Sequence, residues 1–135
     1  SLELHDNKIK FATNSGIFEL SNDNSIGIID RNRNYTYLLK TLESNLYSVN
    51  DTGILLNGNK IINSAEYFNY EVNDLFVENN IIYIGTNNAL IVYNLSENFV
   101  QNMYEFSFLK KIMKIDKIDE FLILLTSKGL VKFRL

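Results

Sequence analysis

Three stretches of the chain align without gaps: Lys8-Ile-Lys-Phe-Ala-Thr-Asn-Ser-Gly-Ile-Phe-Glu-Leu20, Ile81-Ile-Tyr-Ile-Gly-Thr-Asn-Asn-Ala-Leu-Ile-Val-Tyr93 and Phe121-Leu-Ile-Leu-Leu-Thr-Ser-Lys-Gly-Leu-Val-Lys-Phe133. A weaker copy is Asn45-Leu-Tyr-Ser-Val-Asn-Asp-Thr-Gly-Ile-Leu-Leu56. Each copy reads as strand, short turn, strand. The small residue closing the turn is Gly16, Gly53, Ala89 or Gly129, so the copies follow one another at nearly even spacing. Glycine there supplies the positive φ that a tight hairpin needs. Ala89 breaks the pattern, which predicts a different turn geometry or mild strain at that copy. A hairpin recurring with a period of roughly 40 residues is the mark of blades arranged as a propeller.

Each interval between hairpins has room for two more strands. In the third repeat the four strands fall at Val72–Val77, Ile81–Thr86, Leu90–Tyr93 and Gln101–Phe106. Further apolar runs lie at Ile26–Ile29 and Tyr35–Leu39, and Leu109–Ile118 reads as a strand rather than a helix. Their lengths and flanking turn residues suit strands. Several runs are apolar throughout, which suits sheets covered on both faces. Asparagine punctuates them at Asn22–Asp23–Asn24, Asn32–Arg33–Asn34, Asn57–Gly58–Asn59, Asn79–Asn80 and Asn87–Asn88. It tolerates positive φ and bonds its own backbone, so these groups read as turns. None carries the carboxylate spacing of a calcium loop.

The expectation is an all-β domain over residues 1–135. Its β-propeller blades have four antiparallel strands, in about four repeats of roughly 36–40 residues each. The repeats fall near 2–34, 35–71, 72–108 and 109–135. The last repeat holds three strands up to Leu135, and a short run, Leu2–His5, precedes the first hairpin. That leaves three arrangements open. Leu2–His5 pairs with the last blade and closes a small ring, or the chain is part of a larger propeller, or two chains associate through open blade edges.

Composition removes several functions. The 135 residues include no Cys and one His, so there is no disulfide frame, thiol nucleophile or multi-histidine metal centre. A net charge of −3 argues against nucleic acid as the partner. No apolar run is long enough to span a membrane as a helix, and Ser1–Leu2 does not open a signal peptide, which suits a cytosolic or already processed chain. Charge is uneven: residues 1–109 carry six Lys/Arg against thirteen Asp/Glu, and residues 110–135 carry seven against three. This reads as complementary packing between chain ends or as lysines guarding strand edges, ahead of a basic face for an acidic partner. Ser15, Ser48 and Ser127 lack the Gly-x-Ser-x-Gly elbow, and the six glycines are scattered rather than gathered into a phosphate loop. No cofactor is expected, and His5, alone at the chain start, reads as exposed and without a role.

The strand–Gly/Ala-Thr-Asn-x-Gly/Ala-Leu/Ile–strand pattern at Ala12–Ile17 and Gly85–Leu90 resembles the blade signature of two-component-regulator-type β-propeller repeats. It is similar, more loosely, to WD40-like and quinoprotein-like propellers. The usual inner-strand tryptophan is replaced by Lys10, Tyr83 and Ile123, and no Gly-His or Trp-Asp pair is present. The resemblance implies a bacterial sensor domain outside the membrane, or a scaffold that docks partners.

In such a fold, ligands and partners meet the loops joining second to third strands and fourth strands to the next blade. Those loops carry Arg31, Arg33, Tyr67, Tyr70, Lys110 and Lys111, the candidate binding residues. Arg and Tyr are enriched at interface hot spots. The expected function is a non-enzymatic module for ligand sensing or protein docking. The alternative is a carboxylate-dependent hydrolase or lyase drawing on Asp30, Glu66 and Asp74, which needs two carboxylates held close with one pKa raised.

Overall fold

A computed structural model describes residues 1–30, 35–105 and 111–134. The described chain is all-β apart from one 3-10 turn, Ser64–Tyr67. Fifteen strands form four antiparallel sheets, three of four strands and one of three, each in sequence order. The first sheet holds β1 (Leu2–His5), β2 (Lys8–Thr13), β3 (Gly16–Leu20) and β4 (Ile26–Asp30). The second holds β5 (Leu38–Leu42), β6 (Asn45–Asn50), β7 (Gly53–Leu56) and β8 (Asn59–Asn63). The third holds β9 (Val72–Glu78), β10 (Ile81–Thr86), β11 (Ala89–Asn94) and β12 (Phe99–Glu105), and the fourth β13 (Ile112–Ile118), β14 (Phe121–Thr126) and β15 (Gly129–Arg134). Successive four-stranded meanders are the blades of a propeller-type fold. The chain divides into two compact units, residues 1–65 and 66–135, each containing two sheets.

Turn chemistry sets the register. The first and second strands of the first three blades join through Asp6–Asn7, Glu43–Ser44 and Asn79–Asn80, all with φ between 49° and 64° at both residues. Positive φ at both central residues matches the right-handed strand twist, and Asn and Asp reach it most easily. At the second-to-third-strand turns, one side chain organises the backbone. Thr86 Oγ1 accepts the N–H groups of Asn88 at 3.1 Å and Ala89 at 2.8 Å and donates to the Ala89 carbonyl at 2.9 Å. Thr126 repeats this with Lys128 N–H at 3.2 Å and the Gly129 carbonyl at 2.8 Å. Asn50 takes the place in the second blade, accepting from Thr52 and Gly53 N–H at 2.9 and 3.2 Å. Gly16, Gly53 and Gly129 have φ of 135°, 153° and 124°, whereas Ala89 does not share the positive φ. The alanine copy therefore uses a different turn, kept closed by Thr86.

Two expectations shift. Leu2–His5 pairs with Lys8–Phe11 as the first strand of its own blade, so it is not the strand that completes the last one. The run expected at Tyr35–Leu39 begins at Leu38 and continues to Leu42, because Leu42 pairs with Asn45 across the Glu43–Ser44 turn. Glu-Ser is not a composition that announces such a turn. The end of the Gln101–Phe106 strand and part of Leu109–Ile118 lie outside the described residues.

Each unit packs its two sheets face to face. In the second unit, Tyr83, Leu90, Val92, Ile112, Ile115, Leu122 and Leu124 form one buried cluster. Gly85 lets the sheets approach closely: a Cβ there would lie 2.8 Å from Ile112 Cγ2 and 3.0 Å from Ile115 Cδ1. In the first unit Ile17, Leu39 and Leu46 pack together, with Ala12 against them.

Candidate functional site

A cavity lies in the first unit and has a volume of about 440 Å³. Ile17, Ile29 and Leu46 supply its apolar wall, while His5, Lys10, Asp30, Ser48 and Asn57–Asn59 supply its polar groups. This size and mixed lining suit a small molecule.

Register explains which side chains enter. Lys10 pairs with Glu19 and Ala12 with Ile17 across β2 and β3, so all four share one face. Between β3 and β4, Phe18 pairs with Ile28 but Ile17 pairs with Asp30, so Ile29 is an extra residue. Such a bulge re-aims side chains. Here both Ile29 and Asp30 line the cavity.

Lys10 is 8% exposed, although it carries a charge. Its Nζ lies 3.5 Å from Glu19 Oε2, but Glu19 Oε1 is already bonded by Lys8 at 2.7 Å. One carboxylate thus serves two ammonium groups. The Lys8 bond holds the Glu19 carboxyl below its usual pKa, and the same bond raises that of Lys8. Glu3 lies opposite Lys10 in register, with its Oε2 accepting the Thr41 N–H at 2.9 Å. Asp30 is half-buried, and no described residue forms an ion pair with it.

His5 is buried, at 9% exposure, contrary to expectation. Its Nε2 lies 3.0 Å from the Ser44 carbonyl, which requires the proton on that nitrogen, and Nδ1 lies 3.5 Å from Asp6 Oδ2. The ring thereby ties the first turn of one blade to the first turn of the next. Asn57 closes the end of the cavity: its Oδ1 accepts Leu46 N–H at 3.0 Å and its Nδ2 donates to Asn45 Oδ1 at 3.0 Å.

The rim residues fare differently. Arg31, Arg33 and Lys110 lie outside the described residues. Tyr67, at 1% exposure, is a core side chain at the end of the 3-10 turn, so its ring offers no surface to a partner. Tyr70 is half-buried, 5.8 Å from the Phe68 ring by centroid, with its hydroxyl donating to Glu105 Oε1 at 3.4 Å. Lys111 is exposed, and its carbonyl accepts the Ser127 N–H at 3.0 Å. The candidate acids are also dispersed in role. Glu66 Oε2 accepts the Tyr93 hydroxyl at 2.8 Å, and Asp74, fully buried, accepts the Ile115 N–H at 2.8 Å.

Sequence reasoning passes over Lys10 as a site residue. Its signal is a lysine on the core-facing side of a hairpin strand, between Ile9 and Phe11. Among the described residues no group of three or more His, Cys, Asp or Glu could hold a metal ion, and no helix is long and apolar enough to cross a membrane.

Repeated four-stranded antiparallel sheets place the chain among all-β proteins of the β-propeller type. No family model matches the sequence, and no curated protein matches it. Among solved structures it is similar to the computationally designed Ika4 protein, with TM-score 0.70 and 11% identity over 99% of this chain and 89% of that one. The designed Ika8 protein gives TM-score 0.70 and 12% identity over 99% of this chain and 45% of that one. The extracellular domain of the one component system BT4673 from B. thetaiotaomicron gives TM-score 0.65 and 17% identity, over 98% of this chain and 20% of that one. The chain thus spans under half of Ika8 and a fifth of the BT4673 domain. At these identities the likeness is one of fold.

Proposed function

We propose that this chain is a non-enzymatic β-propeller module that senses a small ligand in the cavity between its first two blades. The observation that carries this is Lys10, a buried cation whose ion-pair carboxylate is shared with Lys8, lining a 440 Å³ space beside an apolar wall. Burying a charge without a full partner is costly, so a site that retains one is a candidate for recognition. The likeness to the BT4673 extracellular domain supports a sensor role and a bacterial, extracytoplasmic setting. The carboxylate-dependent hydrolase gains no support, because Glu66 and Asp74 are committed to Tyr93 and Ile115.

The test is a small-molecule screen on the full chain, read by methyl NMR at Ile17, Ile29 and Leu46. Binding that moves these methyls, and is lost when Ser48→Phe fills the cavity, supports the assignment. Hits that move only distant signals overturn it. Self-association through open blade edges belongs to the same proposal, since unpaired strand edges invite pairing. Light scattering during size-exclusion chromatography decides it, since a monomer at all concentrations removes that partner. Binding of nucleic acid is not expected at a net charge of −3.

A further inference from the structure

We infer that the ligand is a short linear zwitterion, a carboxylate and an ammonium group joined by an apolar spacer, as in an ω-amino acid or a short aliphatic peptide. This deepens the cavity assignment and rests on it. The cavity presents one group of each charge. Lys10 stands on β2 and Asp30 at the end of β4, both on the cavity lining.

Their separation follows from the register. Ala12 pairs with Ile17 and Ile17 with Asp30, so Asp30 is two strands across and two residues along from Lys10. With about 4.8 Å per strand and about 3.4 Å per residue, the two Cα atoms stand roughly 12 Å apart. The two side chains do not pair with each other. Ile17, Ile29 and Leu46 line the same cavity. A molecule with complementary ends and a few methylenes between them satisfies both charges and covers the apolar wall.

The carboxylates near Lys10 are engaged elsewhere. Glu19, the one carboxylate within ion-pair distance of Lys10 among the described residues, already holds Lys8 at 2.7 Å. Glu3 is occupied by the Thr41 N–H, and His5 by the Ser44 carbonyl. The carboxylate of the ligand goes to Lys10, with the Ser48 hydroxyl a second donor on the lining, and the ammonium goes to Asp30. Charge-assisted hydrogen bonds at both ends give specificity that an apolar pocket alone lacks.

The experiment titrates the full chain, labelled at Ile and Leu methyls, with 6-aminohexanoate, hexanoate and hexylamine. 6-Aminohexanoate is expected to shift the Ile17, Ile29 and Leu46 methyls at a concentration at least tenfold lower than either single-ended probe. Lys10→Met should erase its advantage over hexylamine, and Asp30→Asn its advantage over hexanoate. Lys10→Gln serves if the methionine variant does not fold, as judged from its NMR spectrum. Equal binding of all three probes overturns the zwitterion while leaving the cavity assignment standing. Silence of the cavity methyls with all three also overturns the zwitterion, and the wider screen then decides the cavity itself.

Discussion

The Asp74 carboxylate, fully buried on β9, accepts the Ile115 N–H of β13 at 2.8 Å and so joins the first strands of two successive blades. The first unit holds its counterpart. Ser1 Oγ accepts the Leu39 N–H at 2.9 Å, and Ser1 lies opposite Ala12 as Asp74 lies opposite Gly85. Within each unit the two blades are thus fastened at one equivalent place by a side chain accepting a backbone N–H. Asp74→Ala should destabilise the second unit by about 2–3 kcal/mol, because it strips a buried N–H of a charged acceptor. Asp74→Asn, whose amide oxygen still accepts, should cost less. Chemical denaturation of both variants checks the order, and equal losses would mean that the bond is not the cause.

Thr86 is fully buried and holds the Ala89 turn through two accepted bonds and one donated. Thr86→Val keeps the shape and removes all three, an expected loss of about 2 kcal/mol. Thr86→Ser should recover most of it. The same pair of changes at Thr13, where the turn is exposed and one bond stretches to 3.5 Å, should have a smaller effect. Thermal melts of the four variants test whether the hydroxyl, rather than the methyl, closes these turns.

Gly53 and Gly129 both have positive φ, yet their surroundings differ. A Cβ on Gly53 would fall 2.1 Å from the Ile62 carbonyl oxygen, a backbone atom of the neighbouring strand. A Cβ on Gly129 would meet nothing within 4 Å. Gly129→Ala therefore incurs only backbone strain, about 1–3 kcal/mol. Gly53→Ala adds a clash that only separation of β7 from β8 relieves. Its midpoint of unfolding should fall well below that of Gly129→Ala.

The hairpins are legible because their determinants are local. Thr13, Asn50, Thr86 and Thr126 stand three residues before Gly16, Gly53, Ala89 and Gly129, and alternating or continuous apolar strands flank them. Blade order follows from the period. The cavity is not legible, since it depends on a bulge beside Ile29 and on side chains of two sheets, Ile17 and Leu46 among them, meeting around it. Nor is the fate of Tyr67: a tyrosine in a loop reads as surface until a 3-10 turn carries it into the core. Asp30 stands out in the sequence as an acid near a loop. Its opposite number, Lys10, lies two strands earlier in the chain and becomes a site residue only through strand register.

Tyr93 provides a pH-dependent check on the second unit. Burial, and then the bond to Glu66, push its phenol up to about 12 from the ordinary value of 10. Burial also raises Tyr47 and Tyr83. A raised phenol pKa means that the folded state keeps a proton which the unfolded chain releases. This stabilisation is complete below pH 10 and is lost as pH rises towards 12. The denaturant midpoint of the wild-type chain should therefore fall across that interval. In Tyr93→Phe the fall should be shallower, because one of the linked protons is gone. At neutral pH the variant should be slightly less stable, having lost the hydroxyl bond to Glu66. Parallel pH profiles for the two proteins would show that Tyr93 does not carry the alkaline transition.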